Sequence, residues 1–189
     1  PETVYFTSGG TESNNMAIKG IAFQYQNRGK HLITSEIEHP SVYECFKQLE
    51  SYGFDVTYLP VDATGAVKLE DLKAAVREDT ILVSIMHVNN EMGRIQPIAE
   101  IGRFLKAYPK LYFHVDGVQA FGKVPLRLNE SGIDLLSLSA HKIEGPKGAG
   151  VLYCRKGVQL SPLLAGGGQE RGFRSGTENV PLIVGMAKA

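Results

Sequence analysis

The sequence predicts an α/β domain with a mostly parallel central sheet flanked by helices. Three observations carry that expectation. Short apolar runs rich in β-branched residues alternate with segments of helical period along the whole chain. Its 189 residues are 43% hydrophobic and 21% charged, enough to bury a core without staples and too apolar for a disordered chain. No repeat, low-complexity tract or linker divides them, so residues 1–189 read as one unit.

The elements follow in order. The first expected strand, Val4–Thr7, leads into a helical segment in which Ala17, Ile21 and Tyr25 share one face. A second strand, His31–Ser35, precedes a helix whose Val42, Cys45, Phe46 and Leu49 fall at i, i+3, i+4 and i+7. His39 precedes Pro40 and so marks the loop before that helix, because the residue before a proline is biased away from helix. Asp55–Leu59 is the third strand, with a shorter stripe of Leu69, Leu72 and Val76 after it. Ile81–His87 is the fourth, followed by a stripe of Ile98, Ile101, Leu105 and Tyr108. Tyr112–Asp116, Leu135–Ser139 and Gly150–Cys154 complete the strands. Met186 to Ala189 read as the start of a further helix.

Composition narrows the function. Twenty Lys and Arg balance twenty Asp and Glu, without the basic excess of a nucleic-acid binder. No run approaches the length of a membrane-spanning helix. Cys45 and Cys154 are too few for a disulfide framework and lack metal-ligand spacing; both read as core, in a reducing, cytoplasmic setting, and no metal site is expected. The chain opens at Pro1-Glu2-Thr3 without an initiator Met or leader, the expected look of an internal piece of a longer, non-secreted protein.

In such a sheet, ligands bind where strands end. Here the residues after five strands are unusually polar: Ser8 to Asn15, Glu36 to His39, Asn89 to Glu91, Asp116 to Gln119 and Ala140 to Lys142. Ser8-Gly9-Gly10-Thr11, between strand and helix, suits close backbone approach to an anion, or else a tight turn with Thr11 as helix N-cap. It is neither a P-loop nor a G-x-G-x-x-G fingerprint, which disfavours a nicotinamide dehydrogenase. Asp116 ends an apolar strand and needs a partner there, either a protonated ring nitrogen of a cofactor or a nearby Arg or Lys. Gln119 can offer an amide to the same ligand. Lys142, directly after an apolar strand, is less solvated than a surface lysine and suits imine chemistry, although lysines are ordinarily surface residues. His31, His87, His114 and His141 each have an ordinary reading as satisfied structural residues. Arg171 to Asn179, after Gly166-Gly167-Gly168, is an exposed loop or subunit contact whose Arg, Ser and Thr donors could serve a phosphate.

Taken together, Thr7 to Asn14, Glu38-His39, His87 to Gly93, His114 to Gln119, Ser139 to Ile143 with Gly145 to Gly148, and Gly166 to Arg171 with Arg174 to Thr177 closely resemble the cysteine desulfurases of nitrogen fixation and iron–sulfur cluster assembly. These are pyridoxal-phosphate enzymes of fold type I related to class V aminotransferases. The resemblance covers essentially the whole chain and implies the cofactor-binding large domain, without the N-terminal segment and C-terminal small domain.

The resemblance also implies roles. Lys142 would hold pyridoxal phosphate covalently, Asp116 would keep its ring nitrogen protonated, and Gln119 would bond the ring phenolate oxygen. His39 would stack on the ring and assist proton transfer, with Asn90 near the ring and the substrate carboxylate. Gly10, Thr11, Ser139 and His141 would cradle the phosphate, Thr177 reaching over from the second subunit of a homodimer. L-cysteine would become L-alanine, its sulfur leaving as an enzyme-bound persulfide for an acceptor protein. In this family the sulfur-accepting cysteine and the arginine that grips the substrate carboxylate come later than Thr177. Neither Cys45 nor Cys154 is that cysteine, so this stretch alone is expected to lack turnover. The alternatives are another class V enzyme, an aminotransferase or selenocysteine lyase, and a non-catalytic scaffold.

Overall fold

The computed structural model describes residues 2–189; Pro1, the first residue of the expected unit, lies outside the described residues. Seven strands form one sheet: β1 (Val4–Thr7), β2 (His31–Ser35), β3 (Asp55–Leu59), β4 (Thr80–Met86), β5 (Tyr112–Asp116), β6 (Leu135–Ser139) and β7 (Gly150–Cys154). Their spatial order is β1-β7-β6-β5-β4-β2-β3. β3, β2, β4, β5 and β6 run parallel, while β7 is antiparallel to both β6 and β1. The expected mostly parallel sheet is observed, with the antiparallel pairs confined to one side.

Helices α1 (Gly10–Tyr25) and α2 (Pro40–Ser51) cover one face; α3 (Leu69–Ala75) and α4 (Ile98–Leu105) cover the other. The alternation of strand side chains makes this possible. Leu32, Leu82 and Leu135 join Ala17, Ile21, Val42, Phe46 and Leu49 in one core. Their neighbours Ile33, Val83 and Leu136 join Leu72, Ile98 and Ile101 in the other. Short α5 (Leu128–Ser131) was not foreseen, and α6 (Val180–Lys188) closes the chain. No helix among the described residues is long and apolar enough to cross a membrane.

Four boundaries differ from expectation; the first is α6, which starts at Val180 and not at Met186 because Asn179 caps it there. β4 spans Thr80–Met86 rather than Ile81–His87, because the chain at Val88 turns back to bridge Ile95. α4 stops at Leu105, short of Tyr108, which precedes Pro109 and is thereby biased out of helix. α3 stops at Ala75, with Val76 already extended.

The topology gathers one set of strand ends. Parallel β2, β4, β5 and β6 finish on the same edge, and β1 joins them because Thr7 and Ser139 flank the same residue, Gly150. A Cβ at Gly150 would lie 2.6 Å from the Gly9 Cα and 2.8 Å from the Leu138 carbonyl oxygen, so only glycine allows this approach.

Candidate active site

At that edge a cavity of about 320 Å³ is lined by Gly10, Thr11, His39, Ser41, Met86, Asn90, Asp116, Val118, Gln119, Ser139, His141 and Lys142. Every residue expected to contact a cofactor is among them except Thr177. A larger hollow of about 430 Å³ opens at the opposite strand ends, around Leu105, Leu111, Phe113 and Tyr153. Its buried acid, Asp134, is already paired with Arg155 at 2.6 Å and with the Phe113 N–H at 2.8 Å. Its chemistry is satisfied; that of the smaller cavity is not.

Asp116 is 5% exposed and has no cationic partner among the described residues. Oδ1 accepts from the Val118 N–H at 2.9 Å and Oδ2 from Asn14 Nδ2 at 2.8 Å. Burial pushes its carboxyl above the usual range, while those two bonds and the nearby His39 pull it back. No Arg or Lys among the described residues pairs with this carboxylate at the cavity wall.

Lys142 ends a single 3₁₀ turn, Ala140–Lys142, directly after β6. The buried Ala140 anchors this turn: its carbonyl receives the N–H groups of Ile143 and Gly145, and its own N–H reaches the Ala149 carbonyl. The lysine is half-buried and forms no ion pair among the described residues. In the same turn, Ser139 Oγ and His141 Nδ1 lie 2.8 Å apart.

Gly9, with φ at 152°, precedes the first turn of α1, and no side chain caps it. Thr11 is thus inside the helix, not its cap. The first-turn N–H groups stay available to an anion beside Ser139 and His141. His39 is the N-cap of α2, Nδ1 accepting from the Ser41 N–H at 3.1 Å. Asn90 is exposed, on a loop held by Asn89, whose Oδ1 accepts from the N–H groups of Glu91 and Met92 and whose Nδ2 donates to the Ile37 carbonyl.

The 169–178 loop corrects one expectation. Arg174 is not free for a phosphate: its guanidinium grips Glu12 at 2.7 and 3.3 Å. Burial raises the Glu12 carboxyl, but bonds from Arg174 and Ser8 outweigh it and hold the group below its ordinary range. Arg171 lies over the Tyr5 ring at 4.6 Å. Thr177 sits in a separate hollow with Glu170 and Arg174, away from Lys142.

The cysteines are core, as expected. Burial pushes the Cys45 thiol up to about 11 and that of Cys154 to about 12, so neither is a ready nucleophile. Of the other histidines, His31 bonds Thr57 and Thr80, and His114 bonds Ser84 and Ser137. His87 is also buried, but its Nδ1 has no partner.

Three contributors had no role assigned from the sequence, although Asn14 and Glu38 lie in its polar strand-end motifs. Asn14 supplies Asp116; Ser41 touches His39; and Glu38 is a buried acid whose Oε1 accepts from Ser35 Oγ and the Met86 N–H. Asn14 had a detectable signal. It extends the buried Ala17–Ile21–Tyr25 stripe by one turn, where an apolar residue would be the ordinary choice.

The aminotransferase class-V family matches residues 1–189, and the chain belongs to it. Among its relatives is the cysteine desulfurase IscS of Dictyoglomus turgidum, 57% identical over 188 residues, spanning 100% of this chain and 48% of that protein. A solved NifS-like protein superposes with a TM-score of 0.96 at 51% identity, covering 100% of this chain and 52% of its own. The structure of SspA in complex with cysteine gives 0.95 at 47%, covering 100% and 55%. The chain spans about half the length of the relatives it matches.

Proposed function

We propose that this chain is the large domain of a dimeric, cytoplasmic cysteine desulfurase that binds pyridoxal phosphate and takes sulfur from L-cysteine for an acceptor protein. The observation that carries the reading is that Lys142 and the unpaired, buried Asp116 line one cavity. It is supported by the relatives named cysteine desulfurase and by the bound cysteine of SspA.

The residues fit the cofactor. A protonated ring nitrogen is the partner that Asp116 lacks, and the N-terminus of α1 with Ser139 and His141 suits a phosphate dianion. When bound, pyridoxal phosphate supplies an electron sink that loosens bonds at the substrate α- and β-carbons. Lys142 would hold the cofactor through its amine and would carry protons at the site. Gln119 would donate to the ring oxygen, Asn90 would orient the substrate carboxylate, and His39 would stack on the ring and handle a proton. Thr177 reaches the phosphate site of the second subunit, which accounts for its distance from Lys142 in its own chain.

Sulfur leaves to a cysteine other than Cys45 and Cys154, whose thiols are buried. The buried state of both thiols supports an acceptor cysteine beyond these 189 residues, and residues 1–189 alone are expected to bind the cofactor weakly or not at all and to lack turnover.

Pyridoxal phosphate and L-cysteine added to the full-length protein test the reading. Visible absorbance of a lysine-bound cofactor and release of alanine are expected in the wild type and lost in Lys142→Ala. Wild-type protein that binds no cofactor, or binds it and releases no alanine, overturns the proposal.

A further inference from the structure

The structure assigns Asn14 as a positioning residue that couples Asp116 to His39 through Ser41, a relay built by one side-chain amide. This rests on the reading of Asp116 and His39 as the two groups that flank the cofactor ring.

The geometry gives the relay a direction. Asn14 is fully buried in α1. Its Nδ2 lies 2.8 Å from Asp116 Oδ2 and 2.9 Å from Ser41 Oγ, so its two protons serve two acceptors. Ser41 Oγ lies 2.8 Å from His39 Nδ1. That ring nitrogen already accepts from the Ser41 N–H, so its lone pair points toward Ser41 and it carries no proton. With the Ser41 oxygen accepting from Asn14, its hydroxyl proton goes to His39. The result is a chain with one polarity: Asn14 donates to Asp116 and to Ser41, and Ser41 donates to His39. Nδ1 is held as acceptor, and the imidazole proton sits on Nε2.

The unpartnered Asn14 Oδ1 shows what holds this polarity in place. A buried amide oxygen without a donor is costly, and rotating the amide would give it one, the Ser41 hydroxyl. Rotation would also set that oxygen against the Asp116 carboxylate. The amide therefore faces its nitrogen inward only while Asp116 carries a charge. Replacing that charge by a group that donates a proton releases the amide, turns the Ser41 hydroxyl away from His39, and leaves Nδ1 with the Ser41 N–H as its one remaining donor.

Nitrogen-15 spectra of the histidine rings in the full-length protein, recorded without cofactor at one pH above the ordinary imidazole range, read this directly. The His39 signals are identified by their loss in His39→Gln. The wild type should show Nε2 protonated and Nδ1 hydrogen-bonded. Asp116→Asn should move the Nδ1 signal toward that of a more weakly hydrogen-bonded acceptor, held by the Ser41 N–H alone. In an Asn14→Ala background the same Asp116→Asn change should leave His39 unmoved. Ser41→Ala, which is partly exposed and leaves α1 intact, breaks the relay at its second link and should also silence the response. A response that persists in both backgrounds shows direct coupling through space and overturns the relay, as does a wild-type ring protonated on Nδ1. Cofactor binding and alanine release are not read, so failure of the relay is distinct from failure of the desulfurase reading.

Discussion

Glu38 Oε1 accepts the Met86 backbone N–H at 3.0 Å, which pins the loop after β2 to the end of β4. The same oxygen accepts from Ser35 Oγ at 2.6 Å, while Oε2 is buried without a partner. Burial pushes this carboxyl up to about 8, the two hydrogen bonds pulling down and Asp116 pushing further up. Glu38, next to His39 in the chain, is thus a neutral acid at neutral pH.

That state has a stability signature. The folded chain keeps a proton on Glu38 up to about pH 8, whereas the unfolded chain loses it near the ordinary carboxylate value. The contribution is complete below the ordinary value and is lost as pH rises through about 8. Glu38→Gln keeps the accepting oxygen and does not titrate. Its melting temperature should fall less than that of the wild type between about pH 5 and about pH 8. Superimposable melting-temperature profiles would contradict the assignment.

Asp116 exchanges stability for binding. Its carboxyl is raised by burial, so the ionised form opposes folding as pH rises above the unfolded value. Asp116→Asn should melt about 2–4 °C higher in the absence of cofactor, the shift expected of about 1 kcal/mol in a domain this size. Its affinity for pyridoxal phosphate should drop about 10–100-fold, the value of a hydrogen bond to a charge. Thermal melts and cofactor titration check both halves; a variant less stable and equally tight-binding would refute the claim.

His39 has two duties that substitution separates. As N-cap of α2 it accepts the Ser41 N–H, and losing that cap in His39→Ala should cost about 1 kcal/mol. His39→Asn restores a preferred cap and should melt close to the wild type. Both variants of the full-length protein should lose about 10²–10⁴ in turnover of cysteine, the usual loss for a missing proton carrier. Full activity in His39→Asn would reduce the residue to a cap.

Gly150 is where β1 and β6 are brought to one edge. In Gly150→Ala the new Cβ would meet the backbone of Gly9 and Leu138, which cannot swing aside as a side chain can. A loss of about 1–3 kcal/mol in chemical denaturation is expected, together with weaker cofactor binding, because Gly10 and Ser139 are pushed apart. Unchanged denaturation midpoints would show that the edge tolerates a wider spacing.

Much of this site was legible because it sits directly after strands, and strands announce themselves by local apolar runs. Lys142 follows Leu135–Ser139, and Asp116 closes Tyr112–Asp116. Asn14 and Ser41 were harder to see, since their contact joins residues 27 apart and depends on how α1 crosses the start of α2. Arg174 read as an available cation because its partner, Glu12, lies 162 residues away.

The sequence by itself determined the alternation of strands and helices, the faces they bury, and the polar residues at the strand ends, because periodicity and turn chemistry act over a few residues. Only the tertiary structure decided which of those ends share a cavity, that Asp116 pairs with no cation among the described residues, and which way the Asn14 amide faces. Those outcomes depend on burial and on donors arriving from distant parts of the chain, and both exist only once the sheet has closed its layers.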